Sequence, residues 1–136
     1  MTQEHKDLLL KDLCARLPYG IKTEIKYYDD AWELLAIYTN GTTYASRDIG
    51  YPIETQFEDC KPHLFPLSSM TDEDYAIYSK IWEDTGKTAY LEGCHHLIST
   101  IKAYKAANNY LLSKHYDING LIPMGLANDA TGKNIY

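Results

Sequence analysis

A chain of 136 residues has the size of one ordinary domain with one hydrophobic core, and 45% hydrophobic against 24% charged residues is the balance of a chain that folds, which excludes the disordered class. The net charge of −6, from 13 Lys and Arg against 19 Asp and Glu, disfavours broad binding to nucleic acid, which draws on clustered cations. The apolar run nearest the polar start, Leu8-Leu-Leu10, is too short for a membrane span or a signal-peptide core, so a cytoplasmic protein with no membrane partner is expected.

From Thr2 the pattern is helical. Thr2 suits the N-cap, Glu4 sits in the first turn, and Leu9, Leu10, Leu13, Cys14 and Leu17 recur at three and four. Pro18 and Gly20 stop it. Residues Ile21 to Tyr28 and Trp32 to Thr39 are rich in β-branched and aromatic side chains and flank a turn-like Asp29-Asp30, which reads as a β-hairpin. Asn40-Gly41 suits a type I′ turn, and Thr42 to Ser46 supplies a third antiparallel strand. Pro52, Pro62 and Pro66 break up residues 47–67, leaving room for one short edge strand over the weak alternation from Tyr51 to Phe57.

Ser68-Ser-Met-Thr-Asp-Glu-Asp then sets a capping hydroxyl before three carboxylates, followed by Tyr75, Ile77, Tyr78, Ile81 and Trp82, so a second helix is predicted from about Asp72 to Asp84. Gly86 and Gly93 interrupt the pattern. Leu97, Ile101, Tyr104, Asn108, Leu111 and His115 line one face of a third helix, which Asp117-Ile-Asn-Gly ends. The apolar segment Leu121 to Ala127 can dock on the core, and residues 128–136 read as a flexible polar tail. No strand-helix-strand alternation occurs, so the class is α+β: an N-terminal helix, a small antiparallel β-meander of three or four strands, and two further helices packed on the sheet, in one domain spanning residues 1–136.

Three stretches carry a resemblance: Leu8-Leu-Leu-Lys-Asp-Leu-Cys-Ala-Arg-Leu-Pro-Tyr-Gly, Lys61-Pro-His-Leu-Phe-Pro-Leu-Ser-Ser-Met-Thr, and Tyr116-Asp-Ile-Asn-Gly-Leu-Ile. They resemble a family of small uncharacterised proteins of phages, prophages and mobile elements of gut Bacteroidetes. That family has no assigned activity. The resemblance therefore implies a setting, a bacterial host cell, and carries over no catalytic or binding residue.

Among residue types that carry chemistry, Cys60-x-x-His63 with Cys94-His95-His96 offers the thiolates and imidazoles that zinc prefers, and a small zinc-dependent hydrolase is the enzyme alternative. The spacing is no recognised zinc pattern. A proline interrupts Cys60-Lys-Pro-His63, adjacent histidines diverge on a helix or strand, and the plainer reading is buried cysteines with surface histidines. Cys94 beside His95 lacks the orienting partner that a cysteine nucleophile needs. Three cysteines, Cys14, Cys60 and Cys94, are an odd number and suggest free thiols, with no disulfide expected. Gly86-Lys-Thr88 lacks the earlier glycine of a phosphate loop, position 81 being Ile81, and reads as a helix-ending glycine. Asp117-x-Asn119-Gly120 lacks the later acids of a calcium loop and reads as a turn. Lys102, Lys105 and Lys114 on the last helix carry a second alternative, nucleic-acid binding.

The interaction signals are different in kind. The chain has 13 Tyr against two Phe, and a tyrosine ring suits half-buried contact surfaces. Tyr27 and Tyr28 are adjacent, so on a strand one of them must face away from the core. With Tyr44 and the acidic Asp72, Glu73 and Asp74 they form the expected contact surface. The expected protein is a non-enzymatic accessory protein with no catalytic residue and no cofactor. It acts through a protein partner or as a homo-oligomer, in a phage or mobile-element setting.

Overall fold

The computed structural model describes residues 1–28, 31–47, 51–93 and 95–136, and the predicted Asp29-Asp30 turn lies outside them. Helix α1 spans Gln3–Arg16, and the Thr2 hydroxyl caps it by accepting from the His5 amide at 3.2 Å. A 3-10 turn over Leu17–Tyr19 and the left-handed Gly20 (φ 69°) close it where Pro18 and Gly20 announce a stop. The next four strands are the expected meander: β1 (Lys22–Ile25), β2 (Trp32–Ile37), β3 (Thr42–Ser46) and β4 (Ile53–Gln56), each antiparallel to its neighbour. Two more strands extend the sheet beyond β1. β5 (Cys60–Leu64) pairs antiparallel with β1, and the short β6 (Asn128–Asp129) pairs parallel with β5, giving the order β4-β3-β2-β1-β5-β6. The class is α+β.

Period-two alternation sorts the sheet into two faces. Thr23, Ile25, Trp32, Leu34, Thr43, Ala45, Cys60 and Leu64 are buried on the inner face, and Thr23 pairs with both Trp32 and Pro62, Leu34 with Ala45. Leu9 and Leu13 of α1 pack into that core, joined by Leu121, Leu126 and Ala127 from the late apolar segment.

Two local expectations change. The β2-β3 turn is not type I′: the Gly41 amide donates to the Tyr38 carbonyl at 2.9 Å, Gly41 is left-handed (φ 88°), and Asn40 is not at positive φ. This is a turn followed by a glycine bulge. A Cβ at Gly41 would stand 3.1 Å from Gln56 Oε1 and 3.3 Å from Phe57 Cδ1, so glycine is required there twice over. Pro62, expected to break any strand, sits inside β5. The Lys26 amide donates to the Asp59 carbonyl at 3.0 Å. Antiparallel alternation from that pair puts the Pro62 nitrogen on the side away from β1, and β6 pairing begins one residue later at His63. The missing N–H therefore costs no ladder bond.

The last two helices are α2 (Asp72–Leu91) and α3 (His96–Ser113), packed chiefly on each other as a helical hairpin. Thr71 Oγ1 accepts from the Asp74 amide and caps α2 as expected. Gly86 does not end α2. It lies in the interior, where a Cβ would meet Ala103 Cβ at 4.0 Å, and left-handed Gly93 (φ 84°) falls just past the real end. The core beneath the sheet contains no residue of α2 or α3 among the described residues, so the helix that covers the sheet is α1, and α2 and α3 form a second layer of their own.

A buried ion pair joins the two parts. Arg16 and Asp12, one turn apart on α1, are both fully buried; Arg16 Nε donates to Asp12 Oδ2 at 2.7 Å and Nη2 to Asp12 Oδ1 at 3.1 Å. Arg16 Nη2 also donates to the Tyr116 carbonyl at 2.7 Å, and Asn119 Nδ2 donates to Asp12 Oδ1 at 2.8 Å. The pair thereby holds the segment that leaves α3. Asp117 turns that segment as expected, its carboxylate accepting from the Leu121 and Ile122 amides at 2.8 and 2.9 Å. Residues 128–136, expected as a tail, are placed on the body by β6 and by Tyr136, whose hydroxyl accepts from the Lys22 amide at 3.1 Å and donates to the His63 carbonyl at 2.8 Å.

Candidate functional site

Large apolar side chains stand exposed on the helical hairpin, and the reason is visible in how its helices meet. On α3 the residues buried against the rest of the chain include Ser99, Ala103 and Ala107, spaced by four, and on α2 they include Ala89, near Gly86. Small residues let two helix backbones approach closely and leave little room for large side chains between them. The large ones are displaced to the outside. Leu97, Ile98, Ile101 and Tyr104 on α3, and Tyr75, Ile77 and Leu91 on α2, are all exposed. At the base of the same helix Leu111 and Leu112 retain only 7% and 5% of their exposure, against 61% for Leu97 and 56% for Tyr104. The predicted apolar face of α3 is thus real, but only its base reaches the body, and its first two turns project into solvent. Full burial of each Leu or Ile there would be worth about 1.5–3 kcal/mol. Trp82 and Tyr104 meet edge to face across the hairpin, with ring centroids 6.2 Å apart.

The expected contact residues are scattered. Tyr27 and Tyr28 are both exposed, in the turn after β1, because Tyr27 is left-handed (φ 76°) and ends the strand at Ile25. Tyr28 leans edge-on against Trp32, and Lys26 Nζ stands 5.1 Å from the Tyr27 ring. Tyr44 is on the open face of the sheet, edge-on to Tyr38 at 5.5 Å and 3.4 Å from Glu54 Oε2. Asp72 and Glu73 are exposed at the start of α2. Asp74 is engaged: its Oδ1 accepts from Tyr110 at 2.8 Å and its Oδ2 from Tyr116 at 2.7 Å. The two phenols hold its carboxyl below the ordinary range, and burial with the nearby carboxylate pushes both phenols up to about 12. Asp74 is a clamp at the base of the hairpin and not part of an open acidic face.

A cleft of about 530 Å³ lies beside this clamp, walled by Phe65, Tyr116 and Tyr136, with Asp74, Lys114 and His115 at its polar edge. His115 ends α3 in the left-handed region (φ 63°) and stacks on Tyr136 at 3.7 Å. Burial, reinforced by the positive charges of Arg16, Lys114 and Lys22, lowers its pKa to about 4, so the imidazole is neutral at pH 7. The cleft's serines donate elsewhere, Ser69 to the Pro66 carbonyl and Ser113 to the Tyr110 carbonyl, so neither hydroxyl is paired with a base.

The zinc ligands do not come together. Cys60 and His63 are three residues apart on one strand and so lie on opposite faces of the sheet. Burial raises the Cys60 thiol to about 12, and its Sγ lies 3.6 Å from the Gln56 carbonyl. His63 is buried, and burial lowers its pKa. His95 caps α3, its Nδ1 accepting from the Leu97 amide at 3.2 Å, while His96 is exposed and Cys94 lies outside the described residues. Among the described residues no three His, Cys, Asp or Glu side chains are grouped to hold a metal ion. The basic face also dissolves: Lys102 and Lys105 lie on α3, but Lys114, nine residues past Lys105, is half a turn round the axis and points its ammonium toward the Tyr110 ring, 6.0 Å away.

No helix among the described residues is long and apolar enough to cross a membrane. Comparison with protein-family models, curated proteins and solved structures finds no match. The apolar hairpin face was hidden in the sequence because its period is that of a core-facing helix. The signal that marks it as outward is the second row, Ser99-Ala103-Ala107, with Gly86 opposite.

Proposed function

We propose that this chain is a non-enzymatic interaction protein whose contact surface is the outward apolar face of the α2-α3 hairpin. One observation carries the reading: Leu97, Ile98, Ile101 and Tyr104 are exposed over two successive turns of one helix. Contiguous apolar surface of this kind marks sites of protein association, and a helix presenting anchors at i, i+4 and i+7 is a common way to engage another helix or a groove. The exposed Tyr27 and Tyr28 and the half-buried Tyr44 lie on the body and form a secondary surface. The bacterial accessory setting, in a phage or mobile element, belongs to the same proposal and rests on the resemblance alone.

Affinity capture from host lysate with the wild-type chain, Ile101→Glu, and the triple change Tyr27→Ala/Tyr28→Ala/Tyr44→Ala separates the surfaces. The reading expects bound protein, this chain included, to be lost with Ile101→Glu and largely kept with the tyrosine triple. Capture unchanged by Ile101→Glu, in a variant whose circular dichroism is native, refutes it.

A further inference from the structure

The hydroxyl of Tyr136 stands where a rung of the sheet belongs. β1 and β5 pair Ile25 with Cys60, Glu24 with Lys61 and Thr23 with Pro62, and there the register ends. Bonded and non-bonded pairs alternate along an antiparallel ladder, so counting from the Lys26 amide on the Asp59 carbonyl, the next bonded pairs are Glu24 with Lys61 and then Lys22 with His63. At that last position the Lys22 amide meets the Tyr136 hydroxyl at 3.1 Å, and the hydroxyl donates on to the His63 carbonyl at 2.8 Å. The ring is held as closely. It lies parallel to the His115 imidazole, centroids 3.7 Å and planes 11° apart, with Phe65 tilted against it at 6.0 Å. A stacked ring whose hydroxyl accepts from one backbone group and donates to another describes a neutral phenol. A phenyl ring would leave the amide and the carbonyl unbridged, and a phenolate has no proton for the carbonyl. Burial keeps the hydroxyl in the neutral state, pushing its pKa up to about 12.

The segment that delivers this phenol is lightly held. Past the two residues of β6, Thr131 to Asn134 are exposed, and the chain turns back through two left-handed residues, Gly132 (φ 74°) and Asn134 (φ 53°). Lys22 Nζ donates to the Ile135 carbonyl at 3.2 Å, and Tyr136 itself keeps 40% of its exposure. The ring also gives no hydrogen bond to His115 Nδ1, which is buried without a partner among the described residues. Tyr136 is one wall of the cleft of about 530 Å³, a volume in the range of small-molecule sites. We propose that the slot between Lys22, His63 and His115 is a binding site for a small phenolic molecule, with the adjoining cleft taking the rest of the ligand and Tyr136 serving as its built-in occupant. The ligand displaces Tyr136 and makes the same two backbone hydrogen bonds. Being tethered, Tyr136 competes at an effective concentration on the order of millimolar or more. The site is therefore closed to a bare phenol and opens to one whose body also fills the cleft. It shares no residue with the exposed turns of α3 and does not depend on that surface.

The test titrates the full chain with p-cresol, the tyrosine side chain as a free molecule, and follows the amide resonance of Lys22. Tyr136→Ala should bind p-cresol roughly tenfold or more tightly than the wild type, because the tethered competitor is gone. The same variant should bind toluene, which lacks the hydroxyl, at least about tenfold more weakly than p-cresol. Tyr136→Phe keeps the ring and loses the bridge, so it too should bind p-cresol more tightly than the wild type, and it carries the test if circular dichroism shows Tyr136→Ala to be unfolded. Equal p-cresol affinity in the wild type and the folded variants overturns the site, and is what a Lys22–His63 rung closing in place of the phenol would give. Toluene bound as tightly as p-cresol overturns it as well. N-acetyltyrosinamide then reads the source of the phenol. Binding no tighter than that of p-cresol upholds a free small molecule, whereas tighter binding overturns that assignment in favour of a tyrosine presented by another chain.

Discussion

The body and the hairpin of this protein are both built from helices and strands of ordinary apolar content, yet they dispose of that content in opposite ways. In the body, α1 meets the sheet through Leu9, Leu13, Ile25 and Leu34, all nearly inaccessible to solvent. In the hairpin, α2 and α3 meet beside Gly86, Ala89 and Ala103, while Leu97, Ile98 and Ile101 face out. Side-chain size at the contact decides the difference. Large residues in a contact hold elements apart and bury area, whereas small residues bring backbones together and leave the large ones to be covered by something else. The body covers its own large apolar side chains, and the hairpin leaves several of its own exposed. The chain has two tryptophans, Trp32 buried in the body and Trp82 in the hairpin, so fluorescence of Trp82→Phe and Trp32→Phe variants reports on each region separately.

The largest expected effect is in the body. Asp12→Ala leaves the fully buried Arg16 guanidinium without its carboxylate, a loss of about 3–5 kcal/mol. Urea denaturation read by Trp32 should show it, and if Trp82 keeps its wild-type midpoint the hairpin holds together independently of the body. Acid should act next, at the hairpin's base. The folded pKa of His115 is about 4 against an ordinary 6.5, so the unfolded chain binds more protons in between and stability falls as the pH drops from 6.5 towards 4. The carboxyl of Asp74 is also held low, so its contribution is present above the ordinary value of 3.8 and is lost as the pH falls through its folded value. A stability profile flat from pH 7 to 4 would show that His115 does not anchor the hairpin as drawn, and one with no further loss below pH 3.8 would show the same of Asp74.

Gly86→Ala should raise stability by up to about 1 kcal/mol, because alanine is the better helix former and its Cβ would lie in ordinary contact, 4.0 Å from Ala103. Midpoints from thermal melts read by Trp82 would check it, and a lowered midpoint would mean that the helices are closer than this geometry allows. The smallest expected change in stability is Leu97→Ser, within about 0.5 kcal/mol for the isolated chain, since that side chain is exposed. A large loss by denaturation of the monomer would place Leu97 in an intramolecular core and would erase the contrast between the two regions.

Much of the architecture was legible in residue patterns that local physics controls. The Thr2 cap, the Pro18-Gly20 stop, the three-stranded meander and the start of α2 all follow from short-range preferences, and they fall at the expected residues. The differences have a common cause. In the sequence Pro62 reads as a breaker, but its missing N–H matters only on the side that pairs, and that side is known only when β1 and β6 are both in place. Gly86 reads as a stop, but its place inside α2 opposite Ala103 is set by the packing of α3. Asp74 reads as open acidic surface, but Tyr110 and Tyr116, which occupy it, are 36 and 42 residues away.

By itself the sequence determined the elements, the class and the existence of an apolar stripe on α3, since periodicity and capping are properties of neighbours in the chain. Only the tertiary structure decided which way that stripe points. A period of three and four says that a face is apolar and is silent on what lies against it, and here the answer depended on the second row of α3, Ser99, Ala103 and Ala107, taking the inner place against α2.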